Sequence, residues 1–295
     1  MKKNLLNLGL FILLVGLTSL AMGMGSKPQN TTKWPEVIRM GLIPTESATE
    51  ITARWQPLLD HIGKSLGVKV KAYNSSDYAA VIEAMRFKQI EAAYFGPKSY
   101  VSAHERAGAE AVAREQAKDG STGYHGIIIT KKGSGLKTVS DIKGLTWAFN
   151  DPQSTSGYLV PMTFFLTELK VKPEDYFSKV MFSGSHEASM MAVKVGNVAA
   201  ASTNDLDLDR AIESGHIKAD DFNIVWTSPI IPGSPICVRG DLPESFRKAF
   251  KQAVLSFNDS GALDKLQLKG FVDTKDADYD SIRKMNEVKE KLLAK

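Results

Sequence analysis

The chain has 295 residues, 43% hydrophobic and 24% charged, with a formal net charge of +4. That balance is enough for one substantial core or two smaller ones. Lys and Arg are interspersed with Asp and Glu, which argues against the clustered basic stripe of a nucleic-acid binder. The single cysteine, Cys237, excludes an intramolecular disulfide.

In chain order, the N-terminus comes first. Lys2 and Lys3 precede an apolar run, Leu8 to Leu17, and then small residues. This is the pattern of a signal peptide, residues 1–23, with cleavage after Ala21 or Gly23. The run is short for a membrane span of about 20 residues, and no cysteine follows it to mark a lipoprotein. Residues 24–36 read as a polar, proline-containing linker. Export without disulfides suits a bacterial envelope protein. Cys237, between Ile236 and Val238, reads as a buried structural thiol.

Val37 to Ile43 reads as a strand. Ser47 and Glu50 have capping-box spacing, and Ile51, Trp55, Leu58, Leu59, Ile62 and Leu66 recur at helical spacing. Pro57 inside that pattern predicts a kink or a late helix start. VKVKAY is a second strand, SSDYAAVIEAMRF a helix capped by Ser76 or Asp77, and IEAAYFG a third strand. The order then repeats: LTWAFN, STSGYLVPMTFFLTEL, KVMFSG, SHEASMMAVKVG and NVAAAS alternate strand and helix. The expected fold is α/β, with two lobes of like topology and mainly parallel sheets.

Loops at the carboxyl ends of such strands form a ligand crevice. Here they are PTES, NSSDY, YFGP, NDPQSTSG, SGSHE and STND. In NDPQSTSG, Ser154, Thr155 and Ser156 stand at a helix start, where backbone N–H groups are unpaired and the dipole is positive. Gly157 allows close backbone approach. The stretch suits a small tetrahedral oxyanion, although one serine capping the helix with the others solvated is the plainer reading. His186 begins the matching helix and can donate to an oxyanion. His61, His104, His125 and His216 read as surface or capping histidines. Tyr78, Tyr94 and Tyr124 suit either a cleft wall or core packing. NDLDLDR, Asn204 to Arg210, reads as a solvated helix start. No P-loop, nucleophile elbow or metal-ligand pattern is present, so no catalytic residue, cofactor or metal is expected.

YAAVIEAMRFKQIEAAYFGP, DGSTGYHGIII, NDPQSTSGYLVP, SGSHEA and SPIIPGSPICVR occur in order between Val37 and Arg239. Together they resemble the PhnD-type phosphonate-binding proteins and their phosphite-binding relatives, the periplasmic solute-binding components of ABC transporters. The resemblance implies a type II periplasmic-binding-protein fold, two lobes joined by two crossover strands, and no enzyme activity. It places lobe 1 at 37–126 and 236–295 and lobe 2 at 127–235. The hinge falls near 126–133 and 228–236, and the C-terminal helices pack on the first lobe. It assigns Tyr78, Tyr124, Ser154, Thr155, Ser156 and His186 to the phosphorus oxyanion. The carboxylates that hold the ammonium of 2-aminoethylphosphonate in some members match Ser234 and Leu206 here, so phosphite or methylphosphonate is the favoured ligand. Asp205 is then expected to face it. The implied partner is an inner-membrane permease, and the implied state a periplasmic monomer. A 2-aminoethylphosphonate or broad phosphonate receptor and a sensory module are the alternatives.

Overall fold

The computed structural model describes residues 34–294. The signal peptide and most of the linker expected from the sequence lie outside the described residues. The elements alternate as the apolar patterning requires. Strand β1 (Val37–Leu42) leads to helix α1 (Ala48–Leu66), followed by β2 (Lys69–Asn74), α2 (Tyr78–Arg86), β3 (Ala92–Tyr94), α3 (Pro97–Ala107) and β4 (Ala109–Ala117). Ser47 caps α1 by accepting from Glu50 N, and Gly67, at φ 66°, ends it in the left-handed region. The helix runs through Pro57 rather than starting after it, because its buried face (Ile51, Trp55, Leu58, Leu59, Ile62) lies on both sides of the proline.

The second half comprises β5 (Gly123–Lys131), β6 (Thr146–Phe149), a π-turn (Thr155–Leu159), α4 (Val160–Thr167), α5 (Pro173–Tyr176), β7 (Lys179–Phe182), α6 (His186–Val195), β8 (Ala200–Asn204), α7 (Asp205–Glu213) and β9 (Phe222–Pro232). The chain then returns through β10 (Pro235–Arg239), α8 (Glu244–Leu255), α9 (Ser260–Leu266), β11 (Leu268–Asp273) and α10 (Asp280–Leu293).

Two sheets result, ordered β11-β4-β10-β3-β1-β2 and β7-β6-β8-β5-β9. In the first, β1 lies parallel between β2 and β3; in the second, β6 lies parallel between β7 and β8. The like topology of the halves is therefore present in these three parallel strands of each sheet. In each sheet the next strand, β10 or β5, is antiparallel and is contributed by the chain as it crosses from the other sheet. The outward crossing falls between Ala117 and Gly123, ahead of the 126–133 segment expected from the sequence. Residues 126–131 instead belong to β5, where Ile127, Ile128 and Ile129 are buried on alternate faces of the second sheet. The return crossing is Gly233–Ser234, between β9 and β10.

The first sheet carries the largest core, around Trp55, Phe95, Phe246 and Phe250; the second has one core on each face, around Met190 and Val193 and around Trp147 and Phe165. Cys237 is a buried free thiol. The C-terminal helices do not all stay with the first sheet: α10 packs against both α3 and α4, and Leu292 and Leu293 reach the core that contains Phe165.

Candidate functional site

The carboxyl ends of the parallel strands in both sheets face one small cavity, of about 20 Å³. Tyr78 opens α2 after β2, the hydroxyl trio opens the π-turn after β6, and His186 opens α6 after β7. The arrangement concentrates helix N-termini, with their unpaired N–H groups, on one small volume.

The π-turn shows why three adjacent hydroxyls are useful. Ser154 Oγ accepts from Gly157 N at 2.9 Å, Thr155 Oγ1 from Lys98 N at 2.9 Å, and Ser156 Oγ from Asn204 Nδ2 at 3.2 Å. Each oxygen is held by a donor, which fixes the three hydroxyls on the cavity wall. Among the described residues, neither Thr155 N nor Ser156 N donates to the protein, as befits the first turn of a helix. Tyr78 is buried, and among the described residues its hydroxyl has no hydrogen-bond partner either. Six donors are thereby gathered without a lysine side chain, a pattern suited to a compact oxyanion.

Gly157 permits the tight turn. A Cβ there would lie 2.4 Å from Asn150 Cγ and 2.5 Å from its Oδ1. Gly157→Ala is expected to destabilise the protein by about 1–3 kcal/mol through overpacking and to weaken ligand binding by displacing the hydroxyls. Thermal melting and calorimetry check this, and a variant with unchanged stability and affinity would contradict it.

His186 is buried, its Nδ1 lying 3.0 Å from Thr203 Oγ1 and 3.2 Å from Asn204 Nδ2, while Nε2 is 3.4 Å from Ser154 Oγ. Burial lowers its pKa; Asp207 opposes that shift and Arg210 reinforces it. The unfolded chain therefore binds more protons than the folded chain below the ordinary histidine value of about 6.5, and this group removes stability as pH falls through that range. His186→Asn is expected to lose less stability between about pH 7 and pH 5 than the parent. Equal losses in thermal melts of the two proteins would contradict this.

Tyr94 and Tyr124 also line the cavity, so the structure brings together Tyr78, Tyr94, Tyr124, Ser154, Thr155, Ser156 and His186. Burial raises the pKa of each tyrosine, keeping the phenols protonated. Asp205 is the exception. Its Oδ1 accepts from His125 N and Leu206 N, both at 2.9 Å, and it lines a separate groove behind Tyr124. Asp207 takes the place expected of Asp205 on the cavity wall, because two residues of helix rotate a side chain by about 200°.

Sequence reasoning also missed Arg210, set aside as part of a solvated helix start. It is buried, with Nη2 2.7 Å from Glu115 Oε1, Nη1 3.1 Å from Asp207 Oδ1, and Nε donating to Leu266 O at 3.0 Å. Burial opposes ionisation of Asp207, but His186 and Arg210 outweigh it and its pKa is lowered. The Asp207–Arg210 spacing of three residues was the available signal. Thr45, Gly96, Asn204, Leu206 and Ser234 complete the part of the wall that bears on ligand choice.

Two α/β sheets whose strand ends meet at a polar cavity define a periplasmic-binding-protein fold. A family profile described as the periplasmic substrate-binding protein of a phosphonate ABC transporter matches residues 40–279. The chain belongs to that family, whose members are exported substrate-binding transport proteins and not enzymes. It is 34% identical to the phosphonates-binding periplasmic protein of Escherichia coli, over 74% of this chain and 65% of that one. The chain thus spans slightly under two thirds of that relative. It is 31% identical to the phosphate-import protein of Mycolicibacterium smegmatis, over 93% of each. The structure of a binding component of a phosphonate ABC transporter from Pseudomonas aeruginosa superposes with a TM-score of 0.82 at 31% identity, covering 87% of each chain. A Prochlorococcus marinus protein solved with methylphosphonate shares the fold, with a TM-score of 0.78 at 24% identity, over 86% of this chain and 98% of that one. Among the described residues, no helix is long and apolar enough to cross a membrane.

Proposed function

We propose that this protein captures a small phosphorus oxyanion, methylphosphonate or phosphite, and delivers it to an ABC transporter permease. The observation that carries this reading is the set of hydroxyls at 154–156 on the cavity wall, each oxygen already accepting a hydrogen bond. Tyr78, Tyr124, His186 and the free N–H groups of Thr155 and Ser156 add donors around the same point. Tyr94, Leu206 and Ser234 also line the cavity. The relatives that bind phosphonates, and the fold-mate solved with methylphosphonate, support this ligand class. The phosphate-import relative makes inorganic phosphate the necessary competitor in any test.

The parts on either side of the crossings at 118–122 and 233–234 act as two lobes. They close around the anion by hinge motion, because only contacts made in the closed form shift the population toward it. The contacts of Thr155 with Lys98 and of Arg210 with Glu115 join elements of different sheets and are of this kind. The protein works as a monomer in the periplasm, after loss of a signal peptide from residues 1–23. A thermal-shift panel of phosphite, methylphosphonate, phosphate and sulfate tests the ligand class. A ligand at 100 times its Kd raises stability by about 2.7 kcal/mol. Stabilisation by sulfate alone would refute the assignment.

A further inference from the structure

At the mouth of the cleft, outside the oxyanion cavity, metal-ligating side chains from three separate parts of the chain converge. Glu50 lies in the first turn of α1, which follows a strand of the first sheet, and Glu187 in the first turn of α6, which follows a strand of the second. His216 stands in the loop after α7, with Nδ1 2.9 Å from Glu187 Oε1 and Nε2 3.0 Å from Glu50 Oε1. One ligand atom of each residue lies within 4.8 Å of those of the other two. The outer carboxylate oxygens are tied to one residue: Ser47 Oγ donates to Glu50 Oε2 at 2.8 Å, and Ser47 N to Glu187 Oε2 at 3.1 Å. Outer contacts of this kind orient carboxylates around a metal.

The neighbouring cations are committed elsewhere. Arg54 pairs with Glu46 and Glu213, Arg210 with Asp207 and Glu115, and Lys194 with Asp221. Among the described residues, no lysine or arginine pairs with Glu50 or Glu187. Zinc takes imidazole nitrogen and carboxylate oxygen at about 2.0–2.2 Å, with water completing a set of three protein ligands. Bonds of that length put tetrahedral ligand atoms roughly 3.3–3.6 Å apart, a spacing that a small turn of the exposed His216 ring supplies. Glu187 and His216 also line a cavity of about 10 Å³ beside Asp207 and Arg210, room for about one water. Calcium and magnesium demand six or more ligands, nearly all oxygen, which this set does not offer. Residues so far apart in the chain leave no spacing motif in the sequence.

We infer that Glu50, Glu187 and His216 form a site for a borderline divalent cation, of which zinc is the type, assembled across the cleft. Its link to the oxyanion rests on the reading of the protein as a receptor that closes on its ligand. Glu50 comes from one side of the cleft and Glu187 and His216 from the other, so opening divides the set and the bound cation holds the closed form. The cation and the phosphorus oxyanion then raise each other's affinity by the same factor.

The test titrates zinc chloride into the untagged full chain by calorimetry, beside Glu50→Gln, Glu187→Gln and His216→Ala, with a thermal melt as folding control. The parent is expected to bind one zinc ion per chain and to ignore magnesium at the same concentration. Each variant is expected to weaken zinc binding at least tenfold, the scale of altered metal sites. The titration is repeated in saturating methylphosphonate, with the heat of zinc mixing with methylphosphonate subtracted, and zinc affinity is expected to rise about fivefold or more. Absence of zinc binding, or binding that all three variants leave intact, would overturn the site while leaving the receptor assignment standing. Binding that Glu50→Gln leaves intact, or that methylphosphonate does not tighten, would overturn its assembly across the cleft. Failure of the parent to bind methylphosphonate, phosphite or phosphate would remove the receptor reading, and the zinc titration of parent and variants would still decide the site.

Discussion

Thr155→Ala and His186→Ala are each expected to weaken methylphosphonate or phosphite binding by about one to two decades, with the protein still folded. Losing a hydrogen bond to a charged group costs roughly 1.5–3 kcal/mol, which converts to that range of affinity. Thr155 is a sensitive position because its oxygen accepts from Lys98 N, across the two sheets, at 2.9 Å. That bond fixes the hydroxyl on the cavity wall. His186 is held by Thr203 and Asn204 and stands beside Ser154. Calorimetry of each variant, with a thermal melt as a folding control, reads the effect. Unchanged affinity in both would place the anion elsewhere.

A second large effect is discrimination against 2-aminoethylphosphonate. Ser234 and Leu206, at the positions that the resemblance links to ammonium-binding carboxylates, both line the cavity and bring no charge. Asp207 is there, but one of its oxygens is 3.1 Å from Arg210 Nη1 and the other accepts from Asn204 Nδ2 at 2.7 Å. An ammonium entering this cavity competes with a buried guanidinium for its counter-charge. Closing on an unpaired charge is costly, so this ligand is expected to bind roughly two decades more weakly than methylphosphonate. Ser234→Asp is expected to narrow the gap by supplying a carboxylate that Arg210 does not already hold. Competitive calorimetry decides it: equal affinities in the parent would show that the Asp207–Arg210 pair yields to the ligand.

The parts of this account that rest on local pattern were legible in the sequence. Alternating strands and helices, the loops at strand ends and the hydroxyl trio all follow from residues within a few positions of one another. Register along a helix was not. Asp205 and Asp207 differ by two residues, and only the packing of α7 decides which faces the cavity. Arg210 was misread for a related reason: its partners Glu115 and Leu266 lie 95 and 56 residues away, so nothing local marks it as buried. The outward crossing was placed too late because GIIIT resembles a linker strand and a core strand equally. Its burial as β5 depends on β8 and β9, far along the chain. The destination of α10 depends in the same way on α3 and α4.

The central claim is that the cavity at the hydroxyl turn binds a phosphorus oxyanion, and the direct measurement is calorimetric titration of the purified parent protein with methylphosphonate and with phosphite, each repeated in excess phosphate and in excess sulfate. One site per chain is expected for at least one of the two ligands, unaffected by sulfate and weakened in Thr155→Ala. Absence of binding by both, or binding that sulfate abolishes and Thr155→Ala leaves intact, would contradict it.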